Sequence, residues 1–279
     1  MNADGNRGRV AAVGFFDGVH TGHRRILSGA DVAITFRNHP LEVLRPDSAP
    51  ALIMDFGSRI AAIRSCGVRE VVALEFTKEL AETPAARFAE NFAGCSRVRC
   101  GANWRFGRGG EGDAEFLRRL GMAVDVVPYA DFAGAPVSST RIRAALASGD
   151  ISSANAMLGA PLAVRGTVFG GKGLGREIGF PTVNVSLGAF SPPVPRGVYV
   201  VDGVFGRGVA NFGTAPTAGA AAWGEPVFEI HFEAAPEPAP AAGDAMEARL
   251  VRFIRPERRF GSLADLRARI AADCRDAFG

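Results

Sequence analysis

The first half of the chain alternates short apolar runs with stretches of helical periodicity, and this alternation constrains the fold more than any other feature. Strands that alternate with helices are typical of an open parallel sheet with helices on both faces. Residues 16–31, about sixteen residues, form the crossover to the second strand, so the helix within it is limited to roughly two turns. The strand predictions are residues 10–13, 32–36, 70–74, 97–100 and 123–127. The helix predictions are residues 23–28, 56–65, 84–92 and 115–120.

Beyond residue 160 the pattern changes to short β-rich segments separated by glycine and proline. This rhythm predicts a small antiparallel β-barrel, followed by one helix over residues 262–273. Two helices are expected within residues 139–158, and the Ala/Pro-rich residues 234–242 are expected to form a hairpin loop. The domain prediction is therefore an α/β domain over residues 1–158 and a barrel over residues 159–279. The barrel strands are predicted at residues 163–169, 197–201, 208–212, 227–232 and 248–253.

Three helix starts carry residues that suit a cap. Thr83 is expected to cap a helix that has Pro84 at its first position. Ser152 is expected to cap the second of the two linking helices. Ser262, with an acidic residue three positions later, is a near match to a capping box at the last helix.

Composition places the chain among globular proteins, with 47% hydrophobic and 22% charged residues. The net charge of +3 comes from scattered arginines, which does not predict nucleic-acid binding. No apolar run approaches the roughly twenty residues of a membrane span, and the polar start does not resemble a signal peptide. None of the four cysteines has metal-ligand spacing. These features predict a cytoplasmic protein that binds neither nucleic acid nor membrane.

A strand-to-helix turn in the first half carries two of the four histidines, within the sequence GFFDGVHTGH at residues 14–23. In an open α/β sheet, ligands bind at the carboxyl ends of strands, and a helix N-terminus offers N–H groups and a positive dipole end to phosphate. Gly18 and Gly22 let the backbone approach a ligand closely. His20 and His23, neutral or protonated, can donate to phosphate oxygens as charge builds during transfer. The turn therefore predicts a phosphate-transfer site.

A second segment, SSTRIR at residues 138–143, combines hydroxyls at a predicted helix start with two arginines in its first turn. Cations oppose the dipole at a helix N-terminus, so Arg141 and Arg143 are better placed when an anion binds there. The alternative is an ordinary capped helix. A GxGxxG sequence at residues 107–112 lies on a long loop rather than at a strand end, and we do not interpret it as a dinucleotide site.

In the second half, the glycine-rich residues 170–175 lead to the sequence GFPTVN at residues 179–184. Glycines at this density allow a backbone to wrap a phosphate. Thr182 and Asn184 are oxygen donors of the kind that suits Mg²⁺. On these residues alone, a turn-rich barrel rim is the alternative.

The N-terminal motifs resemble those of prokaryotic bifunctional riboflavin kinase/FMN adenylyltransferases, also called FAD synthetases. GFFDGVHTGH is similar to the HxGH signature of the nucleotidyltransferase superfamily. TFRNHP at residues 35–40, GANWRFG at residues 101–107 and SSTRIR follow in the order of that family. The resemblance implies that the FMN phosphate attacks ATP, with His20 and His23 stabilising the α-phosphorus and without a general base. It implies ATP or phosphate contacts by Gly14, Phe16, Asp17, Gly18, Gly22, Ser138, Ser139, Thr140 and Arg143, and flavin contacts by Asn103, Arg105 and Phe106.

The barrel motifs resemble those of the riboflavin kinases in the same order. GFPTVN is followed by Gly197–Tyr199, by residues 211–217 and by residues 228–231. The resemblance implies that Thr182 and Asn184 hold Mg–ATP and that Glu229 takes the proton from the riboflavin 5′-hydroxyl. Alternatively, Glu229 lies merely on the solvent face of its strand. The resemblance also implies ATP contacts by Gly175, Gly179 and Pro181.

The resemblance extends over residues 9–275, with three departures. The first crossover is short, Trp104 replaces a phenylalanine, and Ala-Ala-Gly at residues 241–243 replaces a Leu-Tyr-Gly stretch. The implied substrates are riboflavin, FMN and ATP, with Mg²⁺ as cofactor and FMN and FAD as products. An enzyme that retains one activity and a flavin-responsive binding module without catalysis are the alternatives. The sequence leaves assembly into a homo-oligomer open.

Overall fold

The computed structural model describes residues 8–171, 174–214 and 225–279, with the backbone alone at residue 174. The chain divides into two compact units, Met1–Ser139 and Thr140–Gly279. The boundary expected from the sequence, residue 158, assigns the intervening helices to the first domain instead. Residues 172–173 and 215–217, which belong to the predicted kinase motifs, lie outside the described residues.

The first unit contains the predicted parallel sheet, with five strands in the order β3-β2-β1-β4-β5. Its strands are β1 (Arg9–Val13), β2 (Val32–Phe36), β3 (Glu70–Leu74), β4 (Cys95–Gly101) and β5 (Ala123–Val127), followed by the short pair β6 (Asp131–Phe132) and β7 (Ala135–Pro136). Its helices are α1 (Thr21–Leu27), α2 (Pro40–Leu44), α3 (Phe56–Ser65), α4 (Lys78–Ala81), α5 (Ala85–Phe88) and α6 (Ala114–Arg119). Short 3-10 turns span Asp17–Val19, Pro46–Ser48, Ala89–Phe92 and Arg108–Gly110.

The central strand β1 is covered on both faces. Ala11 and Val13 contribute to one hydrophobic cluster, and Ala12 contributes to the cluster on the other face. Side chains alternate between the faces of a strand, so a strand buried on both sides has a continuous apolar sequence. This arrangement fixes the carboxyl end of β1, where the histidine turn begins.

The second unit is a closed six-stranded barrel in the order β10-β11-β12-β9-β8-β13, which confirms the predicted barrel. The linking helices are α7 (Ser139–Ala147), which starts at the last residue of the first unit, and α8 (Ile151–Leu158). The strands are β8 (Leu162–Phe169), β9 (Val183–Ser186), β10 (Gly197–Gly203), β11 (Gly206–Thr214), β12 (Pro226–Phe232) and β13 (Ala245–Pro256). The remaining helices are α9 (Leu174–Glu177) and α10 (Leu263–Phe278).

The terminal helix α10 begins as predicted and runs five residues further. The Ser262 hydroxyl accepts a hydrogen bond from the backbone N–H of Asp265 at 3.1 Å, which confirms the cap. The Asp273 carboxylate, 2% exposed, accepts hydrogen bonds from Arg255 on β13 at 2.7–3.1 Å. This buried ion pair ties the helix to the barrel wall.

Two predicted caps were wrong, and the strands β6, β7 and β9 were not predicted. The Thr83 hydroxyl donates to the carbonyl of Glu79, and Pro84 is itself the cap residue of α5. The carboxylate of Asp150, rather than Ser152, caps α8 by accepting from the N–H of Ser153 at 3.0 Å. Strand β9 was not predicted, since its four residues lie between proline- and glycine-rich turns.

Candidate active sites

The histidine turn joins the carboxyl end of β1 to the start of α1. His20 is the N-cap residue of α1, and its Nδ1 accepts from the backbone N–H of His23 at 3.3 Å. The two imidazole rings stack with centroids 3.5 Å apart. The ring of Phe16 meets His23 edge-on at 5.4 Å. The two histidines therefore form one packed group at a helix N-terminus.

Both histidines are neutral near pH 7. Burial lowers the pKa of His20 to about 4. The pKa of His23 is lowered well below its ordinary value, mainly by burial and to a smaller extent by the nearby His20. Because Nδ1 of His20 accepts a hydrogen bond, the proton of its neutral ring lies on Nε2. In the folded protein His20 therefore offers an N–H donor rather than a cation.

The backbone of the turn adopts an unusual conformation that leaves little freedom. Phe16 and Val19 have positive φ angles of 59° and 41°, and Gly18 has one of 79°. Non-glycine residues in this region cost on the order of 1–3 kcal/mol each and persist where the surroundings enforce them. A Cβ added to Gly22 would lie 3.2 Å from Cε1 of His20. A side chain at position 22 would therefore require the His20 ring to shift slightly.

Asp17 joins the turn to two other segments. Its carboxylate, 1% exposed, accepts from the backbone N–H of Ile53 at 3.0 and 3.2 Å. Its backbone carbonyl accepts from the Ser139 hydroxyl at 3.0 Å. Within the first unit, the start of the SSTRIR segment thus contacts the histidine turn through Ser139. Thr140 and Arg143 follow on α7, where Thr140 is exposed and Arg143 is half-buried.

Arg59 on α3 is a buried cation at this end of the sheet that sequence reasoning missed. It is 0% exposed, and its Nη2 donates to the carbonyls of Phe36 and Arg37 at 2.6 and 3.0 Å. Its guanidinium lies 4.0 Å from the centroid of the Phe15 ring, a cation–π contact. Burial lowers its pKa to about 10, against the opposing effect of Asp17. Arg59 therefore connects the histidine turn to the end of β2, where TFRNHP lies.

The three residues predicted to contact flavin lie in different surroundings. Phe106 is 6% exposed and stacks on Trp104 with centroids 4.5 Å apart, inside the core. Arg105 is exposed and pairs with Asp113 at 2.7 Å. Asn103 is exposed. The loop therefore presents Asn103 and Arg105 to solvent and uses the Phe106 ring for its own packing.

In the barrel, strand register brings three polar residues into one row. Asn184 on β9 lies opposite Glu229 on β12, and Glu229 lies opposite Asn211 on β11. Directly opposed residues project from the same face of a sheet. Their neighbours Phe212 and Phe228 are buried in the barrel interior, so the polar row lies on the outer face. Register therefore unites motifs that are 27 and 18 residues apart in the sequence.

The glycine-rich segment passes close to Asn184 of this row and to Thr182. A Cβ added to Gly171 would lie 2.2 Å from Nδ2 of Asn184, and one added to Gly175 would lie 3.2 Å from Oγ1 of Thr182. Glycine backbone thus lies beside two neutral oxygen-bearing side chains, a setting that fits a magnesium ion carried by phosphate. Within residues 8–171, 174–214 and 225–279, no group of three or more His, Cys, Asp or Glu side chains is arranged to hold a metal.

Glu229 is half-buried, and its environment favours the protonated form. Burial raises the pKa of its carboxyl, and the nearby Glu257 carboxylate raises that pKa further. Glu257 follows the end of β13, and its Oε1 would lie 3.4 Å from a Cβ added to Gly213. Sequence reasoning did not identify Glu257, because an exposed glutamate beside arginines has no distinguishing pattern. A carboxylate with a raised pKa is a better proton acceptor near neutral pH.

Comparisons with known proteins find a family match for each half of the chain. The family described as FAD synthetase matches residues 3–141, and the family described as riboflavin kinase matches residues 158–278. The chain is 36% identical to the bifunctional riboflavin kinase/FMN adenylyltransferase of Escherichia coli K12, over 98% of this chain and 93% of the relative. It is 30% identical to the Bacillus subtilis 168 protein of the same name, over 96% of this chain and 91% of that relative.

One solved structure with the same architecture is described as a macrolide-efflux protein from Streptococcus pneumoniae. It superimposes with a TM-score of 0.82 and 28% identity, covering 98% of this chain and 95% of that one. In the part of the chain that the structure describes, no helix has the length and apolar character needed to span a membrane. With both family matches in sequence order and full-length similarity to two named relatives, this chain belongs to the bifunctional riboflavin kinase/FMN adenylyltransferase family.

Proposed function

We propose that this chain converts riboflavin to FMN and FMN to FAD, using one ATP in each step. The kinase is assigned to residues 159–279 and the adenylyltransferase to residues 1–158. The observation that carries the proposal is the presence of two separate polar sites, each on the motifs of its own family match. One is the histidine turn at the start of α1, and the other is the row of Asn184, Glu229 and Asn211.

In the kinase step, the riboflavin 5′-hydroxyl oxygen bonds to the γ-phosphorus of ATP. The bond from that phosphorus to the bridging oxygen breaks, and ADP leaves. Glu229 accepts the hydroxyl proton, a role that its raised pKa suits. Thr182 and Asn184 would hold Mg²⁺, which neutralises charge on the phosphates when it is bound. Gly175, Gly179 and Pro181 lie on the segment proposed to approach ATP.

In the adenylyl-transfer step, an oxygen of the FMN phosphate bonds to the α-phosphorus of a second ATP, and pyrophosphate leaves. A phosphate monoester is already ionised near pH 7, so no general base is needed. The Nε2–H of His20 and the N–H groups at the start of α1 donate to the oxygens that gain charge. His23 packs against His20, and Ser139 and Arg143 are proposed to contact the phosphates.

The remaining ATP and flavin contacts are proposed on the family pattern. Gly14, Phe16, Gly18 and Gly22 would shape the backbone around ATP, and the Asp17 carboxylate supports the turn from within the fold. Asn103 and Arg105, both exposed, are the proposed side-chain contacts to flavin. Phe106 would act by supporting their loop, since its ring is buried. ATP consumption in both steps favours the cytoplasm as the location.

The test is incubation of the protein with riboflavin, Mg²⁺ and ATP, followed by separation of the flavins. The proposal predicts that riboflavin gives FMN and then FAD, and that added FMN gives FAD. An enzyme with one activity would give FMN without FAD, or FAD only from added FMN. A binding module would retain riboflavin without converting it, and that result would contradict the proposal.

A further inference from the structure

His231 lies beside the polar row of Asn184, Glu229 and Asn211. It has no role in the function proposed above. It follows Glu229 by two residues on β12, so both side chains leave the same outer face of the barrel. Its Nδ1 lies 2.9 Å from the backbone carbonyl oxygen of Pro181. Its half-buried ring meets that of Phe180 edge-on, with centroids 5.2 Å apart. His231 therefore contacts the two residues that precede Thr182.

The contact with Pro181 shows which ring nitrogen of His231 carries a proton. A carbonyl oxygen can only accept a hydrogen bond, so Nδ1 of His231 must carry a proton. Both the neutral Nδ1–H tautomer and the imidazolium meet this condition. The hydrogen bond therefore does not depend on protonation of Nε2.

The hydrogen bond begins where the backbone ladder ends. Strands β9 and β12 pair from Ser186–Val227 to Val183–Ile230, and the pairing goes no further. Pro181 has no N–H with which to extend the ladder. Nδ1–H of His231 donates instead to the carbonyl oxygen of Pro181. This contact lies just before Thr182 and Asn184, the two proposed Mg–ATP residues.

Phe180 also packs against other parts of the second unit. It packs against a cluster on the outer barrel face, to which β10, β11 and α10 contribute. The cluster members from these elements include Val198, Val200, Val209, Ile270, Cys274 and Phe278. On the side of β12, His231 contacts both Phe180 and Pro181.

We propose that His231 is a positioning residue of the riboflavin kinase site. It holds the Pro181 carbonyl, and through it Thr182 and Asn184, beside Glu229. This inference rests on the proposed kinase function, but its structural part can be tested without turnover.

Two substitutions separate the hydrogen bond from the ring contact. His231→Asn places an amide N–H close to the position of Nδ1 and loses the ring. His231→Phe keeps a ring against Phe180 and loses the donor. We expect kcat/KM for Mg–ATP in FMN formation to fall about tenfold in His231→Phe, as expected for one lost hydrogen bond. We expect His231→Asn to stay within about threefold of wild type, and FAD formation from added FMN to be unchanged in both.

Amide hydrogen exchange of a peptide spanning residues 178–187 gives the readout that needs no activity. Protection should fall in His231→Phe and be retained in His231→Asn. Equal behaviour of the two variants in both measurements, or an unchanged His231→Phe, would overturn the inference. If the wild-type protein formed no FMN, the proposed kinase would be wrong, while the exchange comparison would still decide whether His231 holds the turn.

Discussion

The two sites of this chain are constructed in different ways. In the first unit, the proposed site depends on the backbone of one turn, where Phe16 and Val19 have positive φ angles and the His20 ring lies close to Gly22. In the barrel, the site depends on register, which aligns Asn184, Glu229 and Asn211 from three strands. The histidine turn is local in sequence and largely buried, whereas the polar row is assembled from distant segments on an outer face.

This difference indicates how each site should respond to change. A strained and closely packed turn tolerates little alteration of its backbone or its buried rings. In the polar row, backbone hydrogen bonds between strands hold the residues in place. An isosteric substitution of one side chain should therefore lower activity while the strands stay paired.

The largest effect is expected for Glu229→Gln. The amide keeps the size of the side chain but cannot take the hydroxyl proton, so riboflavin phosphorylation should fall about a thousandfold. FAD formation from added FMN should be unchanged, since that step uses the other site. The matched control is Glu233→Gln, an exposed glutamate four residues later. A loss of less than tenfold, measured as kcat for FMN formation, would show that Glu229 is not the base.

The second effect is the pH dependence of stability in the first unit. Folding lowers the pKa of His20 to about 4, whereas in the unfolded chain it is about 6.5. As the pH falls, the unfolded state therefore binds the proton first. The stabilisation is full above pH 6.5 and decreases towards pH 4, with a loss of about 2 kcal/mol expected between pH 7 and pH 5.

The measurement is urea unfolding followed by the fluorescence of Trp104, in a Trp223→Phe background that removes the other tryptophan. His20→Asn retains a good N-cap residue and removes the titrating ring, so it should lose most of the His20 contribution. An identical pH dependence in wild type and His20→Asn would mean that His20 is not held neutral by burial.

The smallest effect is expected for Gly22→Ala. The added Cβ would lie 3.2 Å from the His20 ring, so the ring must shift by a few tenths of an ångström. We expect about a tenfold loss of kcat/KM for FAD formation from FMN, since catalytic groups depend on close positioning. Gly261→Ala, where nothing lies within 4 Å, is the control. Equal activities of the two variants would show that the turn is more tolerant than its packing indicates.

The parallel strands were the most predictable part of the fold. Residues 32–36, 70–74 and 123–127 matched the observed strands because continuous apolar runs bounded by turns mark strands buried in a parallel sheet. The cap at Ser262 was also predictable, since it depends on residues three apart. Local sequence patterns were therefore sufficient to predict most of the helices and strands.

What the sequence did not reveal depends on residues that meet only after folding. Asp150 rather than Ser152 is the cap because α8 begins at Ile151, and β9 is a strand because it pairs with β8 and β12. The motifs identified Glu229, but only register places Asn211 beside it. Arg59 is buried among Phe15, Phe56 and two carbonyls, whereas an arginine on a short helix is ordinarily solvated.

The proposed function requires that one chain carry two separate active sites. The most direct test mixes two variants, Glu229→Gln and His20→Asn, and supplies riboflavin, Mg²⁺ and ATP. Alone, Glu229→Gln should leave riboflavin unconverted, and His20→Asn should accumulate FMN. Together they should produce FAD, because FMN released by one variant is a substrate for the other. If the mixture formed no FAD, or if either variant lost both activities, the claim would be contradicted.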